Sequence, residues 1–156
     1  GMSMLEFKRL SDTGRKAKYQ DGKKRFEGNE INISELVGEE FLIVDFETNI
    51  VTKPQRREYE EKVAQQRREL ENYTNHGITP PDGFLYPERV PMPIGKYLVS
   101  VKRNMDKPNE TIQKLFTGDG GNKSILDQMK EQDLLGKVLC SVKSVRCKGF
   151  NRYIFV

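Results

Sequence analysis

Histidine occurs once in this chain and cysteine twice, and no apolar run approaches the roughly 18 residues that a membrane-spanning helix needs. Each scarcity excludes something. His76 is the sole imidazole that could join Cys140 and Cys147 in a metal site, so a reduced cytosolic protein without metal or other cofactor is the simplest reading. Met2 to Leu5 is too short and too weakly apolar for a secretory core, which makes a soluble, cytoplasmic chain with no membrane partner the expectation. Five of the seven prolines lie between Ile78 and Gly95, yet none are spaced P-x-x-P, so a proline-motif ligand is not indicated. The most informative absence is local: after Gly136 the chain contains no Asp or Glu at all.

What is present fits one compact domain with decorations. The chain has 156 residues, 35% hydrophobic and 32% charged, enough for a core beneath an extensively solvated surface. Its net charge of +4 suits an anionic partner without requiring one. Residues 1–32 read as a basic N-terminal arm, with Leu5, Phe7, Leu10, Tyr19 and Phe26 as its only sizeable apolar anchors. It is either a solvated arm laid on the domain or a tail that orders on nucleic acid.

From Ile31 to Val37 a short helical turn is expected, with Ser34 able to cap it and Gly38 to stop it. Glu40 to Thr52 alternates as a strand, with Leu42, Val44, Phe46 and Ile50 on one face and Asp45, Glu47 and Asn49 on the other. Pro54 suits a first helical turn, and Gln55 to Tyr73 is rich in helix formers around a narrow stripe of Tyr59, Val63, Leu70 and Tyr73. Its charges balance, and pairs such as Glu58 with Lys62 stand four apart. The prolines that follow dictate an extended connector, pinned by Phe84, Leu85 and Tyr86.

Tyr97–Met105 and Glu110–Thr117 read as a hairpin around a turn at Asp106–Asn109, with Val99 and Val101 on the face opposite Ser100 and Lys102. Ser124 with Asp127 resembles a capping box opening a short helix that ends at Gly136. A strand then runs from Lys137, its parity slipping at Ser144 and Val145 as at a bulge; Lys148 to Asn151 form a turn, and Arg152 to Val156 the last strand.

The order β-β-β-α-β-β predicts an all-β fold with short helices, a five-stranded OB-type Greek-key barrel. Residues 33–156 form it, and residues 54–95 are a helix plus proline-rich insertion in the first inter-strand loop. Residues 33–46 (ISELVGEEFLIVDF), 115–118 (LFTG), 124–129 (SILDQM) and 153–155 (YIF) resemble small OB-fold single-stranded DNA-binding proteins of phage and mobile-element type. The resemblance covers roughly residues 33–53 and 96–156. It implies a non-enzymatic protein that binds single-stranded DNA with weak sequence preference, as in DNA replication. The 54–95 insertion departs from that group's compact pattern.

The candidate interface combines the last hairpin with the second strand. Lys102, Arg103, Lys143, Arg146, Lys148 and Arg152 would track phosphates, and Phe150 and Tyr153 would stack on bases. The competing reading turns Tyr153 and Phe155 inward as core and leaves the lysines to keep an edge strand soluble. An assembly or adaptor module is the alternative function, with the 55–73 helix and the connector engaging a protein partner or another copy. Asp45 and Glu47 share a strand face, as a metal nuclease would require, but solvated outer-face residues explain them as well. His76 reads as a helix cap, and Gly118–Gly121 as a flexible turn rather than an anion nest.

Overall fold

The computed structural model describes residues 26–103 and 112–156. The N-terminal arm up to residue 25 and the turn at Asp106–Asn109 lie outside the described residues. The chain divides into two compact units: the described residues up to Thr48 together with Lys96–Val156, and Asn49–Gly95.

In the first unit, β1 (Phe41–Ile50), β2 (Lys96–Arg103), β3 (Gln113–Thr117) and β4 (Leu139–Cys140) form a sheet in the order β3-β2-β1-β4. β5 (Val142–Cys147) and β6 (Phe150–Phe155) form a separate antiparallel pair. Helix α2 (Gly120–Glu131) lies in sequence between β3 and β4. The result is mixed β with two helices and a curled, half-barrel antiparallel sheet, rather than all-β with only short helices. The 23-residue α1 (Lys53–Asn75) makes that difference.

The core face of β1 differs from simple alternation. Phe41 and Ile43 enter the main apolar cluster, and so does Phe46, three residues on, which changes the parity. Between them the Asp45 carboxylate accepts from the Phe46 amide at 2.8 Å. Leu42 and Val44 are buried as well but outside that cluster, so their burial does not identify the barrel interior. Opposite them, Val99, Val101 and Leu115 from β2 and β3 meet Ile125, Leu126 and Met129 of α2. Phe46 stacks on Tyr97 at 5.4 Å, and the Tyr97 hydroxyl donates to the Asp127 carboxylate at 3.0 Å, which holds α2 over the sheet.

Helix α2 begins four residues before the expected Ser124. Its N-cap is Asp119, which accepts from the Asn122 amide at 3.1 Å, so Gly120 and Gly121 lie inside the first turn instead of in a loop. Similarly, the 3-10 turn Ile33–Leu36 is preceded by Asn32 rather than capped by Ser34; the Asn32 amide donates to Glu35 Oε2 at 2.8 Å. The strand expected from Lys137 is broken at Ser141, not slipped at Ser144. β4 pairs with β1, Ser141 exchanges two backbone hydrogen bonds with Val156, and β5 then runs in unbroken register with β6.

The edge of β3 is covered by the end of the N-terminal arm. Lys114 donates its amide to Asn29 O at 3.0 Å and accepts from the Ile31 amide at 2.8 Å, a parallel addition to the sheet. Gly28 is required there, since a Cβ would overlap the Ile112 carbonyl. At the other end of β3 a side chain does the joining. Asn122, fully buried, donates Nδ2 to Thr117 Oγ1 at 3.1 Å and to Tyr153 O at 2.8 Å, and its Oδ1 accepts from the Phe155 amide at 2.9 Å. One carboxamide therefore links α2, β3 and β6.

The second unit is α1 with the connector. Thr52 and Gln55 form a reciprocal capping box, with Pro54 in the first turn. Gln66, the helix's only buried residue, donates Nε2 to Leu85 O at 2.8 Å, and Tyr73 meets Phe84 edge-on at 5.6 Å. The stripe foreseen for a partner is thus covered in part by the chain's own connector. The Glu58–Lys62 pairing available at i,i+4 is not among the ion pairs of the described residues. No helix among the described residues is long and apolar enough to cross a membrane.

Replacing Asn122 with Ala would strand the Phe155 amide and the Tyr153 carbonyl without replacement partners. We expect urea denaturation to show a loss of about 3 kcal/mol, well beyond a typical surface substitution.

Candidate nucleic-acid interface

The β5–β6 hairpin is built by a two-residue loop. Cys147 pairs with Phe150, leaving Lys148 and Gly149 between them, and Gly149 takes φ +87°, the left-handed value that the second central position of a type II turn needs. Phe150 and Asn151 therefore open the last strand rather than occupying the turn. That register sorts the side chains into two faces. Val142–Phe155, Ser144–Tyr153 and Arg146–Asn151 share one; Lys143–Ile154, Val145–Arg152 and Cys147–Phe150 share the other.

The first face descends into the core. Phe155 is fully buried, with its ring 6.2 Å from that of Phe41, and Tyr153 is partly buried against the same cluster. Tyr153 thus stands on the inward side of the strand, which is the competing reading for that ring. The second face and the tip point outward. Phe150 is 58% exposed, and Lys143, Arg146 and Lys148 are exposed. No ion pair among the described residues involves these three cations.

Arg152 is positioned differently. Its Nε and Nη2 donate to the two carboxylate oxygens of Asp119 at 2.7 and 2.9 Å. The absence of acidic residues after Gly136 holds along the sequence but not in space, because the N-cap of α2 brings Asp119 to the hairpin. Asp133 does the same to Lys137, 2.6 Å away. Arg103 is likewise engaged, in a bidentate pair with Glu39 at 2.7 and 2.8 Å. Lys102 is only 5% exposed and has an interaction of its own, so its charge is not presented on the surface. Of the eight candidate residues, Lys148 and Phe150 stand at the exposed tip, Arg146 is exposed on the face opposite Phe150, and Lys143 is exposed near the base of β5, across from Ile154. Arg152 is paired with Asp119 on the face it shares with Phe150, Tyr153 packs inward, and Lys102 and Arg103 are committed elsewhere.

Asp119 and Asn122 were not among the sequence candidates, although they hold the hairpin in place. Their signal was the Asp-Gly-Gly-Asn run, in which an Asp three residues before an Asn satisfies an N-cap. The hydrogen bonds from Arg152 hold the Asp119 carboxyl below its usual range, against the opposing effect of burial, with the Asn122 and Gly121 amides adding to the lowering. Glu39 is lowered in the same way, first by its hydrogen bonds from Arg103. Burial pushes the Cys140 thiol up to about 12, against a lowering backbone hydrogen bond from Ile43, which leaves it inert, while Cys147 is partly exposed across from Phe150.

The other candidates do not assemble. Asp45 is half-buried and Glu47 exposed, and no group of three His, Cys, Asp or Glu side chains among the described residues is placed to hold a metal ion. His76 caps α1, with Nδ1 donating to Asn72 O at 2.7 Å. Comparison with known proteins finds no matching family model, no matching curated protein and no matching solved structure.

Because the folded Asp119 is more acidic than an unfolded Asp at roughly 3.9, its pair with Arg152 stabilises the fold above that value. The contribution is lost as the pH falls through the folded pKa. Asp119→Asn keeps a good N-cap but removes this titration. We expect the variant's melting temperature to depend less steeply on pH than wild type between roughly pH 5 and pH 2.

Proposed function

We propose that this chain is a non-enzymatic, cytoplasmic protein that binds single-stranded nucleic acid, DNA in preference, with weak sequence preference. The observation that carries the reading is the hairpin tip. A Phe ring 58% exposed and the turn residue Lys148 share the tip, and Arg146 and Lys143 are also exposed along β5, all three cations without carboxylate partners among the described residues. An exposed ring gives a base a face to stack on, which cations alone do not supply. The charges follow the backbone while the ring stacks, which requires no particular base.

The strand order supports an OB-type Greek-key frame for this tip. If β4 and β5 are read as one strand bent at Ser141, the neighbours run β3-β2-β1-β4/β5-β6, with α2 following β3. The Asn122 carboxamide then spans from Thr117 of β3 to β6, where a closed barrel would pair its third and fifth strands. The insertion falls in the first inter-strand loop of that frame and the Lys148–Gly149 turn in the last, the pair of loops that flanks the ligand face of OB domains. The resemblance to phage and mobile-element single-stranded DNA-binding proteins supports the same reading, with a place in DNA replication.

Fluorescence anisotropy with labelled oligo-dT tests it. Three phosphate contacts predict a log–log salt slope of about −2, and Lys148→Ala should reduce it by about 0.7. Phe150→Ala combined with Lys148→Ala should weaken binding at least about tenfold. Equal affinity for a duplex of the same length, or unchanged affinity in the double variant, would remove the hairpin from the site.

A further inference from the structure

The unit Asn49–Gly95 has a chemistry of its own. It contains seven Lys and Arg against seven Asp and Glu, so the chain's excess positive charge lies wholly outside it. Between the first turns of α1 and the connector runs a groove of about 430 Å³, walled by Tyr59, Leu85, Val90 and Pro93, with Glu58 and Lys62 on its helical side. The connector segment alternates. Pro91 and Pro93 line the groove, while Met92 and Ile94, 77% and 80% exposed, are the most exposed large apolar side chains among the described residues. With no amide N–H at two of its four positions, residues 91–94 are a poor strand edge, so whatever they meet is engaged through side chains.

We propose that this surface pairs with a second copy of itself. A projecting apolar pair beside an apolar recess is self-complementary under a two-fold axis, where residue i of one copy meets residue j of the other and j meets i. Met92 and Ile94 of each copy then fill the other's groove. The charges agree: Glu58 and Lys62 are four apart on α1, form no ion pair with each other, and in an antiparallel arrangement each faces the opposite charge across the axis. Net neutrality removes the repulsion that two copies of a basic surface would suffer, and offers no attraction to a polyanion.

Sedimentation velocity on the nuclease-treated full chain, from about 1 to about 100 µM, tests the proposal. We expect the mass to rise from monomer to dimer. Met92→Glu with Ile94→Glu should weaken association at least about tenfold. Since both side chains are exposed, the thermal melt of the separated monomer should be unchanged. Glu58→Lys or Lys62→Glu alone should weaken it by about fivefold, and the double reversal should restore it. A wild-type monomer at every concentration overturns the proposal and leaves the groove to a partner of another sequence. So does a dimer indifferent to the Met92 and Ile94 changes, or a charge reversal that the second reversal fails to rescue.

Discussion

A single carboxamide links α2 and β3 to the last strand, whose other edge pairs with β5. Asn122 has two hydrogen-bonding ends, and the fold spends both: Nδ2 on Thr117 and the Tyr153 carbonyl, Oδ1 on the Phe155 amide. Backbone groups in a dry interior must be paired, and a sheet left open along one side ordinarily leaves a row of them unmet. Here the first turn of a helix meets that need. Asp119, three residues earlier, caps the same helix and grips Arg152, so helix start, strand edge and hairpin are fastened at one corner. An Asp at position 122 would put a charge where nothing compensates it, and a Leu would meet none of the three partners.

The same corner decides which cations remain available. Arg152 and Arg103 carry the guanidinium fork best suited to a phosphate, yet each is held in a bidentate pair by a carboxylate of the fold. What is left exposed on the hairpin is Lys143, Arg146 and Lys148, two of them flexible lysines. On the binding proposed above, such a surface fits weak sequence preference. Arg152 shares a face with Phe150, two residues along β6.

Much of this was legible in the sequence because it was local. The long β1, the Pro54-started helix, the proline-rich connector and the terminal hairpin each follow from periodicity or backbone chemistry within a few residues. The exposure of Phe150 and the burial of Phe155 also follow from position relative to a turn. The parts that were not legible depend on distant partners. Nothing near Arg152 in the sequence points to Asp119, and nothing near Asn122 points to Phe155. The core parity of β1 changes between Ile43 and Phe46, which simple alternation does not foresee. Lys102 looked like a solvent-facing residue of an alternating strand because alternation assumes that one face is wet, and in β2 both are covered, with Ser100 as dry as Val99.

Gly95 and Asn49 mark where the insertion leaves and rejoins the barrel chain, and they touch: a Cβ on Gly95 would collide with the Asn49 backbone. Asn49 itself takes φ +57°, a left-handed value that Asn accepts more readily than most residues. For the chain entropy of β1 meeting β2, the excursion between them therefore counts as a closed loop with its ends already together, and its length costs the barrel little. Such a junction makes the insertion separable in heredity as well as in structure. It can be lengthened, exchanged or lost through changes confined to one crossing point, while the hairpin at the far end of the sequence keeps its geometry.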